Sequence, residues 1–294
     1  MYPLSFEEFL LANKEISLLE VVTKATKQKA LSEIFHQKLK SYLKKFLIIG
    51  GMPEAVKSYI LNGDMLETQR ILDDLILSIQ ADFTKYKTRV STARIREVFN
   101  AVVQQVGYKF SYSYPNATLN NVQIKEALTL LEMAGLVYFV THSASNGIPI
   151  GAEINPKKRK MLLFDTGIFQ RILGLNIAPL LIEDDFNIIN KGNIAELFAG
   201  LELIKNTSCY EKTTLYYWQR ESKNSQAEVD YVIQKQDQII PLEVKAGTKG
   251  AMQSMYLFLE EKKSNFGIRL SLENFSEMEK IKIYPLYAIK NVLV

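Results

Sequence analysis

Apolar positions recur at helical spacing through the first third of the chain. Leu31, Ile34, Phe35, Leu39, Tyr42 and Phe46 form one stripe, and Leu66, Ile71, Leu72, Leu75 and Ile79 form another before Asp82-Phe83. Steps of three and four put each set on one helix face. Ser5 followed by Glu8 is a capping-box pattern and predicts a helix start. Gly50-Gly51-Met52-Pro53 predicts a helix exit and the next entry, with glycine at the first and proline near the second. A glycine pair can also cradle phosphate, but no lysine or hydroxyl follows at useful spacing, so packing is the reading adopted. Residues 1–86 therefore read as a helical region.

From about residue 87 to 175 the pattern changes. Helices are predicted over 93–105 and 121–134, separated by the polar stretch Tyr112 to Asn120. Gly135 ends the second, and Leu136-Val137-Tyr138-Phe139-Val140 reads as a strand. A turn-rich segment, 143–148, leads to Lys157-Lys158-Arg159-Lys160 and a second strand, 161–164. Helices followed by a strand, a loop and a returning strand describe a winged helix. In that motif the second helix, here carrying Gln123, Lys125 and Glu126, can enter a DNA major groove. The four basic residues would lie on the wing and meet phosphates; a solvated turn and a protein contact are the plainer uses of the same features.

Residues 176–189, with Glu183-Asp184-Asp185, read as a connector within a third region, 176–294. A helix fits 193–206, strands fit 214–218, 227–233 and 239–245, a helix fits 252–260, and strands fit 266–270 and 281–287. The centre is a hairpin around Lys235 to Gln238. If Gln234 faces Ile239, counting back sets Asp230 opposite Glu243, with Cβ atoms roughly 4.5–5.5 Å apart. Two opposed carboxylates repel and need a cation. Lys245 shares the face of Glu243 because side chains alternate along a strand. A carboxylate pair beside a lysine is the equipment of a magnesium-dependent phosphodiesterase, although a solvated edge hairpin carries the same charges.

The order helix, three strands, helix, strand, with Asp230 and then Glu243-Val244-Lys245, resembles the PD-(D/E)xK nuclease fold. The chain further resembles AAA+-type ATPases that carry the C-terminal region DUF4143. Tyr2-Pro3-Leu4-Ser5-Phe6-Glu7-Glu8-Phe9, Gly50-Gly51-Met52-Pro53-Glu54-Ala55-Val56, Leu163-Phe164-Asp165-Thr166-Gly167 and Gly192-Asn193-Ile194-Ala195-Glu196 carry that likeness. Tyr216-Tyr217-Trp218, Ala227-Glu228-Val229-Asp230 and Pro241-Leu242-Glu243-Val244-Lys245-Ala246-Gly247 complete it. The resemblance implies a multi-domain α+β chain: an AAA+ lid-like region (1–86), a winged helix (87–175) and a restriction-endonuclease-like αβββαβ domain (176–294). It implies Mg²⁺ or Mn²⁺ on Asp230, Glu243 and the Val244 carbonyl, with Glu196 as a further acidic ligand and Lys245 as the group that orients or deprotonates water. Glu228 would neighbour the ligands, and Gln253 and Ser254 would touch phosphate.

The family's ATPase core has no counterpart. No Gly-x-x-x-x-Gly-Lys-Ser/Thr loop is present, and Gly247-Thr248-Lys249-Gly250 lacks the spacing. Met1-Tyr2-Pro3 falls where that core ends and its lid begins, so this chain alone should not hydrolyse ATP.

Composition narrows the rest. The 294 residues are 47% hydrophobic and 23% charged, enough for two or three cores. No run approaches the roughly 18 apolar residues of a membrane span, and no secretory leader is visible. The lone cysteine, Cys209, permits no internal disulfide and reads as packing, consistent with a cytoplasmic protein. His36 and His142 lack metal-ligand spacing. The net charge of +4 neither requires nor excludes nucleic acid. The expectation is thus a metal-dependent DNA nuclease, with DNA as partner and a second copy or another protein as the further option. The alternative is an inactive nucleic-acid- or protein-binding module coupled to an ATPase.

Overall fold

The computed structural model describes residues 2–293 except 87–89, 115–118, 177–191, 208–209, 211, 223–224, 246 and 248–251. Glu183-Asp184-Asp185, Cys209 and most of Gly247-Thr248-Lys249-Gly250 lie outside the described residues, as does part of the stretch between Tyr112 and Asn120.

The amino-terminal region folds into helices α1 (Phe6–Ala12), α2 (Ile16–Thr23), α3 (Glu33–Ile49), α4 (Pro53–Asn62) and α5 (Met65–Asp82); the two apolar stripes lie on α3 and α5, although Ile34, Phe35 and Leu66 are exposed. The Ser5–Glu8 capping box forms in full, and Pro53 occupies the first turn of α4. Helices α6 (Thr92–Gln104) and α7 (Asn121–Met133) precede strands β1 (Val137–Ser143) and β2 (Ile154–Leu163). After α8 (Thr166–Ile172) and α9 (Gly192–Lys205) come β3 (Leu215–Gln219), β4 (Glu228–Lys235), β5 (Gln238–Val244), α10 (Gln253–Glu261), β6 (Gly267–Ser271), β7 (Ser276–Met278), β8 (Ile281–Pro285) and α11 (Lys290–Leu293). The fold is mixed α+β, and from α9 to β6 the order is helix, three strands, helix, strand.

The eight strands of the described residues join one sheet, ordered β2-β1-β3-β4-β5-β6-β8-β7. β1 runs parallel to β3, so the β1–β2 hairpin extends the sheet formed by the later strands. One apolar cluster runs from Phe6 through Phe99, Leu131 and Phe198 to Val292, so residues from all three expected regions share a core. The β4–β5 register pairs Gln234 with Ile239, as the turn length predicts, and tightens the turn to Gln236-Asp237.

Two sequence motifs meet at a buried node. Asp165 caps α8 by accepting from Ile168 N (3.0 Å), and its other oxygen accepts from Gly51 N (2.7 Å). Gly50 adopts φ 79° and ψ −170°, a region essentially reserved for glycine. A Cβ there would stand 2.2 Å from Asp165 Oδ1. Gly50→Ala is therefore expected to lose about 2–3 kcal/mol in urea unfolding; a loss below ~0.5 kcal/mol would mean that the node relaxes freely.

The two ends of the chain are tied together. Glu202 on α9 accepts from Phe6 N, and Lys205 donates to the Leu4 carbonyl. His36 Nδ1 lies 2.7 Å from the Tyr287 hydroxyl, Asn291 donates to the Val22 carbonyl, and Asn274 donates to that of Leu31.

Candidate functional site

The candidate site gathers where β2, β4, β5 and α9 meet. The β3–β4 register jumps, pairing Tyr216 with Val232 but Trp218 with Val229. Tyr217 alone therefore opposes both Asp230 and Tyr231. Such a bulge re-aims side chains locally. Tyr231, fully buried, donates its hydroxyl to the Glu196 carbonyl, while Asp230 Oδ2 accepts from the Val244 amide at 2.8 Å. Asp230 thus bridges β4 and β5 with its side chain, one step beyond the Tyr231–Leu242 pair.

Glu243 is buried on β5. Its Oε1 accepts from Lys245 Nζ at 2.6 Å, and its Oε2 is buried with no hydrogen-bond partner. A buried carboxylate oxygen without a donor is costly, and it is a natural ligand for a cation. Burial, then the Asp230 charge, push the Glu243 carboxyl up to about 7, with Lys245 opposing.

The other half of the cluster is built around a residue assigned to the wing. Lys160 is 2% exposed; its Nζ lies 2.8 Å from Glu196 Oε1, 2.7 Å from Glu228 Oε1 and 3.7 Å from Asp230 Oδ1. Its ammonium also sits 5.4 Å from the centre of the Tyr217 ring. Lys109, after α6, reaches Glu228 Oε2 at 3.0 Å. Burial would discharge Lys160, but Glu196, Asp230 and Glu228 outweigh it and hold the ammonium charged. Burial, then Asp230, raise Glu196 to about 8. Burial also raises Glu228, but Lys160 and Lys109 bring it below its ordinary value.

These shifts fix a sign. Glu196 and Glu243 bind their protons more tightly folded than unfolded, so their contribution to stability is full below the ordinary carboxyl pKa and declines as pH rises towards 7 and 8. His36 and His142 act oppositely: burial lowers both, so they lose stability as pH falls through the ordinary histidine range. Above about pH 6.5 the carboxyl contribution remains alone among these four groups. The metal-free melting temperature is expected to fall between pH 6.5 and 8.5, and Glu196→Gln to flatten that slope. An unchanged slope in the variant would remove Glu196 as its source.

Several expectations need correction. Lys157 to Lys160 do not form a turn, because β2 begins at Ile154 and includes them. The β1–β2 register jumps from Arg159 to Asn155, leaving Pro156, Lys157 and Lys158 as an outward bulge. Lys157 is exposed, Lys158 pairs with Glu221 at 2.9 Å, and the Arg159 guanidinium covers Phe139 at 4.6 Å. Lys160 points inward and offers no surface to a phosphate. Lys125 is exposed and lies 5.9 Å from the Tyr112 ring centre. Gln123 is engaged in the α7 capping box with Asn120. Glu196 meets Lys160 and so does not present an open oxygen pair. Ser254 accepts from Glu228 N at 3.3 Å, and Gln253 is exposed. Sequence reasoning puts Lys160 on the wing as a phosphate contact rather than among the carboxylates, and it misses Lys109; alternation from the buried Leu162 back to Lys160 is the signal for the first.

Among the described residues no three His, Cys, Asp or Glu side chains are arranged to hold a metal ion together. Asp230 and Glu243 supply two carboxylates, which suits an ion that keeps several waters. No helix of the described residues is long and apolar enough to cross a membrane.

Residues 191–289 match the family model described as domain of unknown function (DUF4143), so the expected carboxy-terminal DUF4143 region is found there. Residues 40–178 match the model described as domain of unknown function (DUF8612). The site is composite: Lys109 and Lys160 fall in the second match, while Glu196, Glu228, Asp230, Glu243 and Lys245 fall in the first. No curated protein and no solved structure matched the chain.

Proposed function

We propose that the chain is a metal-dependent nuclease that hydrolyses DNA phosphodiesters, built like the PD-(D/E)xK enzymes and belonging to a protein of the AAA+ ATPase type. The observation that carries this reading is the buried, unpartnered Glu243 Oε2 beside Asp230, with Lys245 bound to the other oxygen of the same carboxylate. Asp230 Oδ1, Glu243 Oε2 and the Val244 carbonyl are the groups that would hold Mg²⁺ or Mn²⁺. When bound, the ion polarises a phosphoryl oxygen and lowers the pKa of a water.

The chain's own groups do the rest. The Val244 amide fixes one oxygen of Asp230 and so aims the other. Lys245 steadies Glu243, orients the attacking water and offsets negative charge as it builds on the phosphate. Lys157, exposed on the β2 bulge, and Lys158, once freed from Glu221, would meet the DNA backbone.

The test is incubation of single-stranded, duplex and branched DNA with the protein in Mg²⁺ or Mn²⁺. Cleavage that EDTA stops is the expected result. Lys157→Ala with Lys158→Ala should weaken DNA binding and flatten its salt slope, yet leave cleavage at saturating DNA within about threefold, since the sites are separate. A wild type that neither binds nor cuts any of the three substrates sinks the proposal. A second reading, a module that binds a partner without catalysis, is favoured by one observation: Lys160 already neutralises Glu196 and Glu228.

A further inference from the structure

We infer that Lys160 is a built-in cation that fills the Glu196–Glu228 half of the acidic cluster and leaves one divalent-cation position, bounded by Asp230 and Glu243. The inference deepens the metal-dependent reading above and rests on it for the occupied position.

The geometry separates the two halves. Lys160 Nζ is within 2.8 Å of Glu196 and 2.7 Å of Glu228, contact distances for charge-assisted hydrogen bonds. Its distance to Asp230 Oδ1 is 3.7 Å, beyond a good hydrogen bond, so that oxygen stays open to another ligand. Glu243 Oε2, on the neighbouring strand β5, has no hydrogen-bond partner. A small dication and an ammonium repel strongly inside a protein, so an ion on Glu196 and Glu228 would have to displace a lysine whose side chain is 2% exposed. The Tyr217 ring beneath Lys160 further fixes the stem.

Lys160 is thus a positioning residue: it sets the ion count and holds Glu196 and Glu228 away from the ion. It comes from the β1–β2 hairpin, outside the segment matched as DUF4143, so the carboxylate site is completed by a different part of the chain.

Calorimetric titration with Mn²⁺ tests this on the full chain without reference to activity. The wild type should bind one ion. Glu243→Gln should weaken it by roughly 100-fold, whereas Glu196→Gln should leave affinity within about threefold. Lys160→Met should bind a second ion, and Lys160→Met with Glu196→Gln and Glu228→Gln should return to one. If Lys160→Met lacks a cooperative melt, Glu196→Gln decides: a loss equal to that of Glu243→Gln makes Glu196 a ligand and overturns the inference. A folded Lys160→Met variant that binds one ion with wild-type affinity also overturns it. A wild type that binds no Mn²⁺ overturns the single divalent-cation position and sinks the nuclease reading with it, even if Lys160→Met binds one ion. If no folded variant binds Mn²⁺, both fall.

Discussion

Lys160→Met is expected to lower metal-free stability by about 3–5 kcal/mol, measured by urea unfolding at pH 7.5. Methionine keeps the unbranched stem, so little packing volume changes. What disappears is the ammonium between Glu196, Glu228 and Asp230. The remaining carboxylates are then held together, Glu196 buried and Glu228 half-buried, with Lys109 still paired to Glu228. Breaking a buried ion pair from one side costs more than the pair contributes, because the partner charge is stranded. Adding Glu196→Gln and Glu228→Gln should therefore recover most of the loss, although it removes two more ion-pairing groups. A loss of less than about 1 kcal/mol in the single variant would show that the carboxylates do not depend on the lysine.

Glu243→Gln is expected to slow Mg²⁺-dependent cleavage by about 1,000-fold, roughly 4 kcal/mol of transition-state stabilisation. The amide is nearly isosteric, but it removes the charge from the oxygen that has no protein partner and weakens the grip on Lys245. Asp230→Asn should match it. Its amide has only one oxygen, which must either accept from Val244 N or face the ion. Lys245→Met should lose about 10²–10⁴-fold in rate with little change in Mn²⁺ affinity, since a proton-handling or water-orienting group acts after the ion is seated. Single-turnover cleavage at saturating DNA separates these effects from binding. Retention of more than about a tenth of the wild-type rate by Glu243→Gln would remove that carboxylate from the chemistry.

Legibility in the sequence followed the range of the interactions. The β4–β5 hairpin could be counted because alternation and a short turn are local, and the Gln234–Ile239 register stands in the structure. The capping box at Ser5 and the glycine exit at Gly50 are equally local. The pairing of β1 with β3 is parallel and joins residues 75 positions apart, such as Val140 and Leu215, with no turn to announce it. Short strand β7 has three exposed residues and no apolar alternation. Lys160 was hidden by its neighbours: a run of four basic residues reads as a solvated turn. The strand instead starts seven residues earlier than expected, at Ile154, and places the fourth residue of the basic run among the carboxylates of Glu196, Glu228 and Asp230.

The tie between the two ends of the chain has a consequence for biosynthesis. Asn291 donates to the carbonyl of Val22, a separation of 269 residues, and His36 meets Tyr287 across 251. At roughly 5–20 residues per second, helices α1 to α3 would wait about 13–54 s on the ribosome before their carboxy-terminal partners exist. During that interval Leu31, Leu39 and their neighbours lack part of the surface that buries them in the finished protein. Nascent chains that stop short of Tyr287 should accordingly be substrates for chaperones and proteases, however completely their helices have formed.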